Sequence, residues 1–293
     1  MIYRNLRRRV DYLLAPDSSR RKRELRMKLD LFSSRCKYRD EYAEEIAYMK
    51  TRDIITMFPY VFRERYRELP IEVKRDEERN LSYVIHDGKR LYYPADMSED
   101  TIRNMYRAIR LEQDVESPHR YFSDGFDFDH NGIFCDVGCA EANIALEVVD
   151  RAKAVLLFEA SPRWLPALEA TFEPYRDKVH IINKYAGNKI DSEMTTIDHE
   201  LKQRALEGEL YIKIDAEGSE EAILQGAENT LKTRKVNGAV CTYHRQEDAR
   251  IFEKFFDEMG FRTEFSKGWC IYIGSEELEP PYFRKGLIRV SNF

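Results

Sequence analysis

The sequence of 293 residues contains few cysteines and no long apolar run. Its five cysteines are odd in number and none forms a C-x-x-C pair, a usage typical of reduced thiols in the cytosol. The first residues, MIYRNLRRRVDYLL, lack the apolar core of a signal peptide. No apolar stretch approaches the roughly 18 residues needed to span a bilayer. These absences predict a soluble, cytoplasmic protein.

The charge of the chain is weak overall but unevenly distributed. The net charge of −5 does not favour a nucleic-acid partner. Residues 1–28, however, contain ten Lys and Arg against three Asp and Glu, a net of +7 that leaves −12 on the remainder. Such a basic segment is typical of an arm that contacts an anionic partner. We expect it either to approach an anionic membrane surface or to pack on a second subunit of a homo-oligomer.

Residues 1–80 are predicted to form a helical N-terminal extension. Apolar residues at helical spacing indicate one helix over 2–14 and a second along Leu25 and Leu29. A third helix is expected over 40–57, where a proline follows.

Residues 81–125 are predicted to hold a hairpin, a helix and a segment that covers the site. Two β-rich runs flank Asp87-Gly88, a pair suited to a type I′ turn. Ser98 is a suitable N-cap for the following helix. The polar stretch EQDVESPHRYF comes next, and its Ser-Pro pair makes a helix there unfavourable.

Residues 126–293 predict an α/β domain of the Rossmann-like, doubly wound kind. Five short runs are apolar on both faces: IFCDV, AVLLFEA, VHIIN, LYIKID and GAVCTYH. They alternate with helical segments over 141–150, 162–174, 219–232 and 246–259. This alternation indicates a parallel sheet with helices on each side. FRTEFSK and WCIYIG then follow only a glycine turn apart, which predicts that the last strand is antiparallel. Ligands of such sheets bind beyond the carboxyl ends of the strands.

Polar and small residues stand where the first two predicted strands end. In FCDVGCAEAN, Gly138 and Ala140 allow close approach of the backbone, while Asp136 and Asn143 offer polar groups to a ligand. Glu159 ends the second strand, 21 residues after Gly138, a spacing typical of an acid that binds ribose hydroxyls. The alternative is a capping role for these carboxylates.

Two carboxylates and a histidine end the later strands. In YIKIDAEGSE, Asp215 and Glu217 directly follow an apolar strand, a placement that is costly unless the carboxylates are paired or used. In CTYHR, His244 lies over the same edge, and histidine is the side chain most often able to act as a base near neutral pH. Helix capping by Asp215 or Ser219, and a structural His244, remain the alternatives.

Taken together, FCDVGCAEAN, FEAS, YIKIDAEGSE and CTYHR resemble the FkbM-type methyltransferases, a class I branch that uses S-adenosylmethionine. The resemblance covers about residues 110–275. EQDVESPHRYF and CTYHRQ are similar to a subgroup linked to bacterial polysaccharide biosynthesis, whose members methylate sugar hydroxyls. The sequence departs from the family at Cys139-Ala140-Glu141-Ala142, where the family is richer in glycine.

The resemblance implies a seven-stranded sheet with an antiparallel last strand, and it assigns roles to single residues. The cofactor S-adenosylmethionine is expected to be bound by Asp136, Gly138, Ala140, Asn143, Glu159, Ala160, Asn183, Ala186 and Asp215. A sugar or glycan is the expected acceptor. The candidate catalytic residues are His244 as the base, Asp215 as an alternative base or orienting group, Glu217, and His119 as a third choice.

Other readings of the same residues stay open. A nicotinamide-dependent sugar dehydrogenase or epimerase would have a similar turn and ribose acid, and Tyr185 and Lys189 form a Y-x-x-x-K match. A non-catalytic binding protein on the same fold is a second alternative. Asp215, Glu217 and His244 also form an oxygen-and-imidazole set that suits a divalent metal.

Overall fold

The computed structural model describes residues 20–35, 39–52, 55–128, 131–273 and 279–293. The first described helices are α1 (Arg20–Arg35) and α2 (Ala43–Arg52), with a 3₁₀ turn at Arg39–Tyr42 between them. The predicted helix over 2–14 lies outside the described residues. The third predicted helix is shorter than 40–57, because its first turn is 3₁₀ and its α-helical part has the bounds of α2.

The N-terminal helices bury apolar residues against a segment from the far end of the chain. Leu25 and Leu29 of α1 are both buried, at 3% exposure, in a cluster that includes Ile271 and Phe283. Tyr42 stacks on the ring of Phe283 with 4.6 Å between ring centroids. Apolar burial of this kind, rather than helix propensity, holds such an extension in place.

The predicted hairpin and helix are both confirmed. A 3₁₀ turn at Val61–Arg63 and the short α3 (Glu64–Arg67) lead to β1 (Lys74–Asp76), β2 (Leu81–His86) and β3 (Lys89–Tyr93), an antiparallel sheet in the order β1-β2-β3. Asp87 and Gly88 have φ values of 49° and 75°, as a type I′ turn requires. The Oγ atom of Ser98 accepts a hydrogen bond from the Thr101 amide at the start of α4 (Glu99–Glu112).

The main sheet has seven strands and confirms the predicted fold class. The strands are β4 (Ile133–Val137), β5 (Ala154–Phe158), β6 (Val179–Ile182), β9 (Leu210–Ile214), β10 (Val236–Cys241), β11 (Arg262–Phe265) and β12 (Leu287–Ser291). Their order is β11-β12-β10-β9-β4-β5-β6, and β12 runs antiparallel to both of its neighbours. A separate pair, β7 (Tyr185–Ala186) and β8 (Met194–Thr195), lies beside the sheet.

Helices pack on both faces of this sheet. They are α5 (Asn143–Val148), α6 (Leu165–Phe172), α7 (Ile197–Gln203), α8 (Glu220–Gln225), α9 (Glu228–Thr233) and α10 (Asp248–Glu258). Phe134 of β4 belongs to one buried cluster, while its neighbours Ile133 and Cys135 belong to the other. The predicted helix over 219–232 is divided at Gly226, where a side chain would collide with the carbonyl oxygen of Gly187.

The sequence correctly predicted an antiparallel last strand, but the prediction assigned it to the wrong segment, WCIYIG. WCIYIG is not a strand of the sheet: Cys270 forms only an isolated bridge with Arg284, and Ile271 donates its amide to the Met57 carbonyl. Its apolar side chains are buried by the N-terminal extension instead, so they do not need the sheet. The antiparallel strand is β12, about 20 residues later in the chain.

Among the described residues, no helix combines the length and apolarity that crossing a bilayer requires.

Candidate functional site

A cavity lies beyond the carboxyl ends of β4, β5 and β9. Its empty volume is about 1020 Å³, with open solvent at its mouth included. α4 forms one wall through Met105, Ala108, Ile109 and Glu112. Of the predicted site residues, the cavity is lined by Gly138, Ala140, Glu159, Ala160, Ala186, Asp215 and Glu217. Asp136, Asn143, Asn183, His119 and His244 are not part of its lining.

The turn after β4 is built from left-handed backbone. Gly138, Ala140 and Ala142 have φ values of 70°, 46° and 58°. A side chain at Gly138 would collide with the carbonyl oxygen of Asp215, so only glycine fits there. The two alanines accept the left-handed conformation at a cost of roughly 1–2 kcal/mol each, which is characteristic of functional turns. The glycine thus serves close contact with β9 as well as the predicted contact with a ligand.

Glu159 closes this turn from the end of β5. Its Oε2 atom accepts the Ala140 amide at 3.1 Å, and its Oε1 atom accepts the Ser161 amide at 2.7 Å. Burial raises the pKa of Glu159, although both amides oppose the shift. Carboxylate oxygens have further lone pairs, so this group can still accept hydroxyl donors from a ligand in the cavity.

Two predicted cofactor contacts have other roles in the structure. Asn183 donates its side-chain amide to the Glu159 carbonyl at 2.7 Å, so it fixes the end of β5 rather than lining the cavity. Asn143 begins α5, where it is 8% exposed and also outside the cavity lining. Both predictions placed a polar residue by its distance from a strand end, which does not determine where its side chain points.

Asp136 is likewise outside the cavity lining. It is 1% exposed, and its Oδ1 atom lies 2.8 Å from Nζ of Lys213. Burial raises the pKa of Asp136, and the ammonium beside it opposes that shift. Asp136 therefore has no part in the cavity lining, and its partner is a buried lysine. The signal in the sequence was the lysine itself, since a cation inside an apolar strand needs a buried partner.

Asp215 lies among four polar side chains. Tyr121 donates its hydroxyl to Oδ2 at 3.1 Å, and Tyr243 donates to Oδ1 at 3.0 Å. The Nε2 atom of His119 is 3.6 Å from Oδ2, and Nε2 of His244 is 3.5 Å from Oδ1. The Asp215 carboxylate is fully enclosed, although the residue borders the cavity. These surroundings suit a carboxylate that holds the neighbouring side chains in place. They do not suit one that contacts a substrate directly.

Of the two carboxylates that follow β9, Asp215 and Glu217, the second is the more accessible. Its side chain is 16% exposed, it lines the cavity, and Tyr272 donates a hydroxyl to its Oε2 atom at 2.9 Å. Its φ is 54°, a left-handed conformation that is rare and strained for a glutamate. Strain of this kind is concentrated at functional sites.

His244 is buried behind these carboxylates. Its Nδ1 atom is 2.9 Å from Oε1 of Glu220, and its Nε2 atom is 3.5 Å from Asp215 and 3.7 Å from Glu217. Burial lowers the pKa of the ring, but the carboxylates of Glu220, Glu217 and Asp215 outweigh burial and raise the pKa to about 9. The expectation of a neutral base facing the acceptor is therefore corrected. Near pH 7 the ring is an imidazolium that is enclosed by carboxylates.

His119 is also enclosed, in the segment that follows α4. Its Nδ1 atom is 4.0 Å from Oε2 of Glu112, and its Nε2 atom is 3.5 Å from the Cys241 thiol. The neighbouring Tyr121 reaches Asp215 from the same segment. The stretch 112–122 thus covers the buried side of Asp215, and His119 does not reach the cavity surface.

Two groups of metal-capable side chains occur in the described part of the chain. One is Asp215, Glu220 and His244, and the other is His119, Asp215 and Cys241. Glu220 takes the place predicted for Glu217. In the first group the two ring nitrogens of His244 lie near different carboxylates, Nε2 at 3.5 Å from Asp215 and Nδ1 at 2.9 Å from Glu220. A divalent metal stays a prediction.

Several lining residues were missed by the sequence predictions. Glu112 continues the apolar stripe of α4 after Met105 and Ile109, and a glutamate at that spacing was the available signal. Glu141 borders the cavity as well, so five carboxylates line it: Glu112, Glu141, Glu159, Asp215 and Glu217. Among the residues that the structure describes, Lys184 is the one lysine in the lining and no arginine takes part. The cavity therefore favours a cationic ligand or one rich in hydroxyl donors.

The Y-x-x-x-K match is not arranged as in a dehydrogenase helix. Tyr185 lies in β7, and the ammonium of Lys189 pairs with Asp191 at 2.9 Å in the following loop. Tyr185 lines the cavity, whereas Lys189 does not. These two residues therefore do not form a paired proton donor.

The fold and the domain identify the same class of protein. The seven strands and the antiparallel last strand, β12, are those that the resemblance to class I methyltransferases implies. Residues 170–263 match the family model described as the Methyltransferase FkbM domain, which confirms the predicted resemblance. The matched segment contains YIKIDAEGSE and CTYHR. It is shorter than the predicted 110–275 and leaves FCDVGCAEAN and FEAS ahead of it.

Solved methyltransferases have weaker similarity to the chain. Methyltransferase FkbM from Methylobacillus flagellatus KT is 18% identical over 57% of this chain and 45% of its own, with a TM-score of 0.44. Precorrin-6y C5,15-methyltransferase from Geobacter metallireducens GS-15 is 12% identical over 57% and 84%, with a TM-score of 0.38. TrmK from M. capricolum, in complex with S-adenosylhomocysteine, is 14% identical over 56% and 63%, with a TM-score of 0.34.

The chain therefore spans less than half of the Methylobacillus enzyme. These similarities are weak, so the class rests on the seven-stranded sheet with its antiparallel last strand and on the domain match. No curated protein sequence matches this chain significantly.

Proposed function

We propose that this protein transfers a methyl group from S-adenosylmethionine to a hydroxyl group of a sugar or glycan. The observation that carries the proposal is Glu159, whose buried carboxylate is held by two backbone amides beside the glycine turn and borders the cavity. An acid at this strand end is the usual acceptor for ribose hydroxyls. The Methyltransferase FkbM domain over residues 170–263 supports the reaction class.

The cavity fits S-adenosylmethionine in charge. Five lining carboxylates match a ligand that carries a sulfonium and an ammonium group. When bound, this cofactor supplies an activated methyl group. Glu159 would hold the ribose, and the backbone of Gly138 and Ala140 would border the cofactor at the turn.

Glu217 is the residue placed to take the proton of the acceptor hydroxyl. It lines the cavity, and one of its oxygens is fixed by Tyr272 while the other can accept a proton. A base within reach contributes about 10²–10⁴-fold to such a transfer. Asp215 lies behind it and is fully enclosed, so we assign Asp215 to orientation rather than to proton transfer.

His244 keeps the acceptor side of the cavity in place. Its imidazolium lies 3.5 Å from Asp215 and 3.7 Å from Glu217, and it offsets part of the repulsion between the two carboxylates. This role requires the protonated ring, whose pKa of about 9 keeps it charged near neutral pH. The Nε2 atom of His119, in the covering segment, lies 3.6 Å from the Asp215 carboxylate.

The partners of the reaction follow from the same chemistry. Carboxylates and the Tyr272 hydroxyl suit an acceptor with several hydroxyl groups, as a sugar has. The acidic cavity and the net charge of −5 do not favour a nucleic acid. The basic residues 1–28 support contact with an anionic membrane surface, where lipid-linked glycans lie, or packing in a homo-oligomer.

The basic segment is tested by reversing its charge. The substitution of Arg7, Arg8 and Arg9 by glutamate should weaken sedimentation with anionic vesicles and leave neutral vesicles unaffected, because the attraction is electrostatic. Light scattering of the same variant reports the assembly state. Unchanged vesicle binding and unchanged assembly would together remove both roles of the segment.

The function itself is tested by calorimetry followed by turnover. The full-length protein is titrated with S-adenosylmethionine, S-adenosylhomocysteine and NAD. Binding of NAD alone would overturn the proposal in favour of a sugar dehydrogenase or epimerase. Protein that binds the cofactor is then incubated with methyl-labelled S-adenosylmethionine and either nucleotide sugars or lipid-linked glycans. Binding without label transfer to any hydroxyl acceptor would favour a non-catalytic protein.

A further inference from the structure

Lys213 occupies the centre of the main sheet, in a place where a cation is unusual. It lies in β9 among Ile212 and Ile214, and it is 5% exposed. Its register partner on β4 is Asp136, so the two charged side chains leave adjacent strands at the same level. A lysine is almost never buried in this way unless it is paired.

The ammonium of Lys213 has three partners. Its Nζ atom is 2.8 Å from Oδ1 of Asp136 and donates to the Gly138 carbonyl at 3.0 Å. It also lies 5.5 Å from the centre of the Tyr121 ring. Burial lowers the pKa of Lys213, but Asp136 and Asp215 outweigh burial and raise it, so the group is a cation.

These partners belong to both sides of the candidate site. Gly138 is the glycine of the turn that borders the cofactor part of the cavity, and its backbone touches the backbone of Asp215. Tyr121 donates its hydroxyl to the Asp215 carboxylate at 3.1 Å. One ammonium therefore contacts the turn directly and Asp215 through a single intervening ring.

We propose that Lys213 is a positioning residue for methyl transfer: without lining the cavity, it fixes the Gly138 carbonyl and the Tyr121 ring and so sets the cofactor turn and Asp215 relative to each other. The inference rests on the proposed function, and it extends it to a residue outside the cavity lining. Its physical basis is that a charge-assisted hydrogen bond in a buried site holds a carbonyl more firmly than a neutral one.

A purely structural ion pair makes a different prediction from a positioning residue. Removal of Lys213 alone leaves the Asp136 carboxylate buried without its cation, which destabilises any fold. Removal of both charges relieves that penalty. The Gly138 carbonyl, however, still lacks its donor in the double variant. If Lys213 positions the turn, the double variant should therefore regain stability but not cofactor affinity.

The experiment compares Lys213→Met, the double variant Lys213→Met with Asp136→Asn, and Lys254→Met as the control. Lys254 is exposed on α10, 3.6 Å from Glu258, and lies outside the cavity lining. Melting temperature, S-adenosylhomocysteine affinity by calorimetry, and turnover are measured for each full-length protein. The control should equal the unsubstituted protein in all three.

We expect Lys213→Met to lose both melting temperature and affinity. The double variant should recover most of the melting temperature, yet bind S-adenosylhomocysteine on the order of tenfold to a hundredfold more weakly, the scale of a small misplacement in a site. Affinity and turnover restored together with stability in the double variant would overturn the inference, because the pair would then be structural only. If the unsubstituted protein did not bind S-adenosylhomocysteine, the proposed function would fail and this inference with it.

Discussion

The two ends of the cavity hold their carboxylates by different means. At the cofactor end, defined by Gly138, Ala140 and Glu159, backbone amides hold the carboxylate. At the acceptor end, defined by Glu217, His244 and Tyr272, side chains from distant parts of the chain do so. Backbone donors are fixed by the local turn, whereas side-chain donors depend on tertiary packing. The cofactor end should therefore tolerate changes of pH, and the acceptor end should not.

The largest effect that separates the two ends is expected for Glu217→Gln. The amide cannot accept the acceptor proton, so turnover should fall by about 10²–10⁴-fold, while S-adenosylhomocysteine affinity stays nearly unchanged. Steady-state kinetics and calorimetry measure the two quantities. Glu221→Gln, an exposed position on the adjacent α8, is the matched control. Retained turnover in Glu217→Gln would place the base elsewhere.

The next effect is a dependence of stability on pH that comes from the acceptor end. The pKa of His244 rises from about 6.5 when unfolded to about 9 when folded, owing to Asp215, Glu217 and Glu220. Its contribution is therefore fully present below about pH 6.5 and is lost as pH rises through about 9, a loss of about 3 kcal/mol.

Denaturant unfolding between pH 6 and 10 measures this contribution. The His244→Gln variant should be less stable near neutral pH, and its stability should change less across the same interval. A slope that is identical in both proteins would show that other groups produce the pH dependence. Cofactor affinity, by contrast, should change little from pH 7 to 8.

A smaller effect is expected at the cofactor end. Glu159→Gln removes a charged acceptor but keeps its shape, so S-adenosylhomocysteine affinity should fall by about 1–3 kcal/mol, the scale of hydrogen bonds to a charged group. Calorimetry measures the change, with the exposed Glu253→Gln on α10 as control. Equal affinity in a folded Glu159→Gln protein contradicts the assignment of the ribose to this residue.

The smallest effect is expected for Tyr272→Phe. This change removes the hydroxyl that Glu217 accepts at 2.9 Å and leaves the ring in place. Loss of one hydrogen bond of about 0.5–1.5 kcal/mol should lower turnover by roughly two- to tenfold. Cofactor affinity should stay the same. A loss as large as that of Glu217→Gln would instead give the tyrosine its own part in proton transfer.

The same contrast explains how much of the site could be predicted from the sequence. Glu159 and Gly138 were identified because strand ends and turns follow local rules of spacing. Asp136 and Asn143 satisfied the same rules, yet neither residue lines the cavity. Tyr272 could not be found, because it lies 55 residues after Glu217 and is brought there only by packing.

The fold was more predictable than the site for a similar reason. Apolar runs and turn residues predicted the parallel strands, the hairpin at Asp87-Gly88 and the helix after Ser98, since these depend on local patterns. WCIYIG has the same apolar pattern as a strand, but its residues are buried by the N-terminal extension. A pattern of burial does not specify which surface provides it.

The position of β12 between β10 and β11 leads us to expect an order of assembly. β11 precedes β12 in the chain, but β12 is its one neighbouring strand among the described residues, so we expect β11 to join the sheet only when β12 does. The connection between these strands contains Tyr272, the partner of Glu217. Strands β4, β5 and β9 are adjacent and need none of this connection. A refolding chain should therefore become able to bind S-adenosylhomocysteine before it can turn over, and stopped-flow binding followed by activity assays at matched times would reveal that interval.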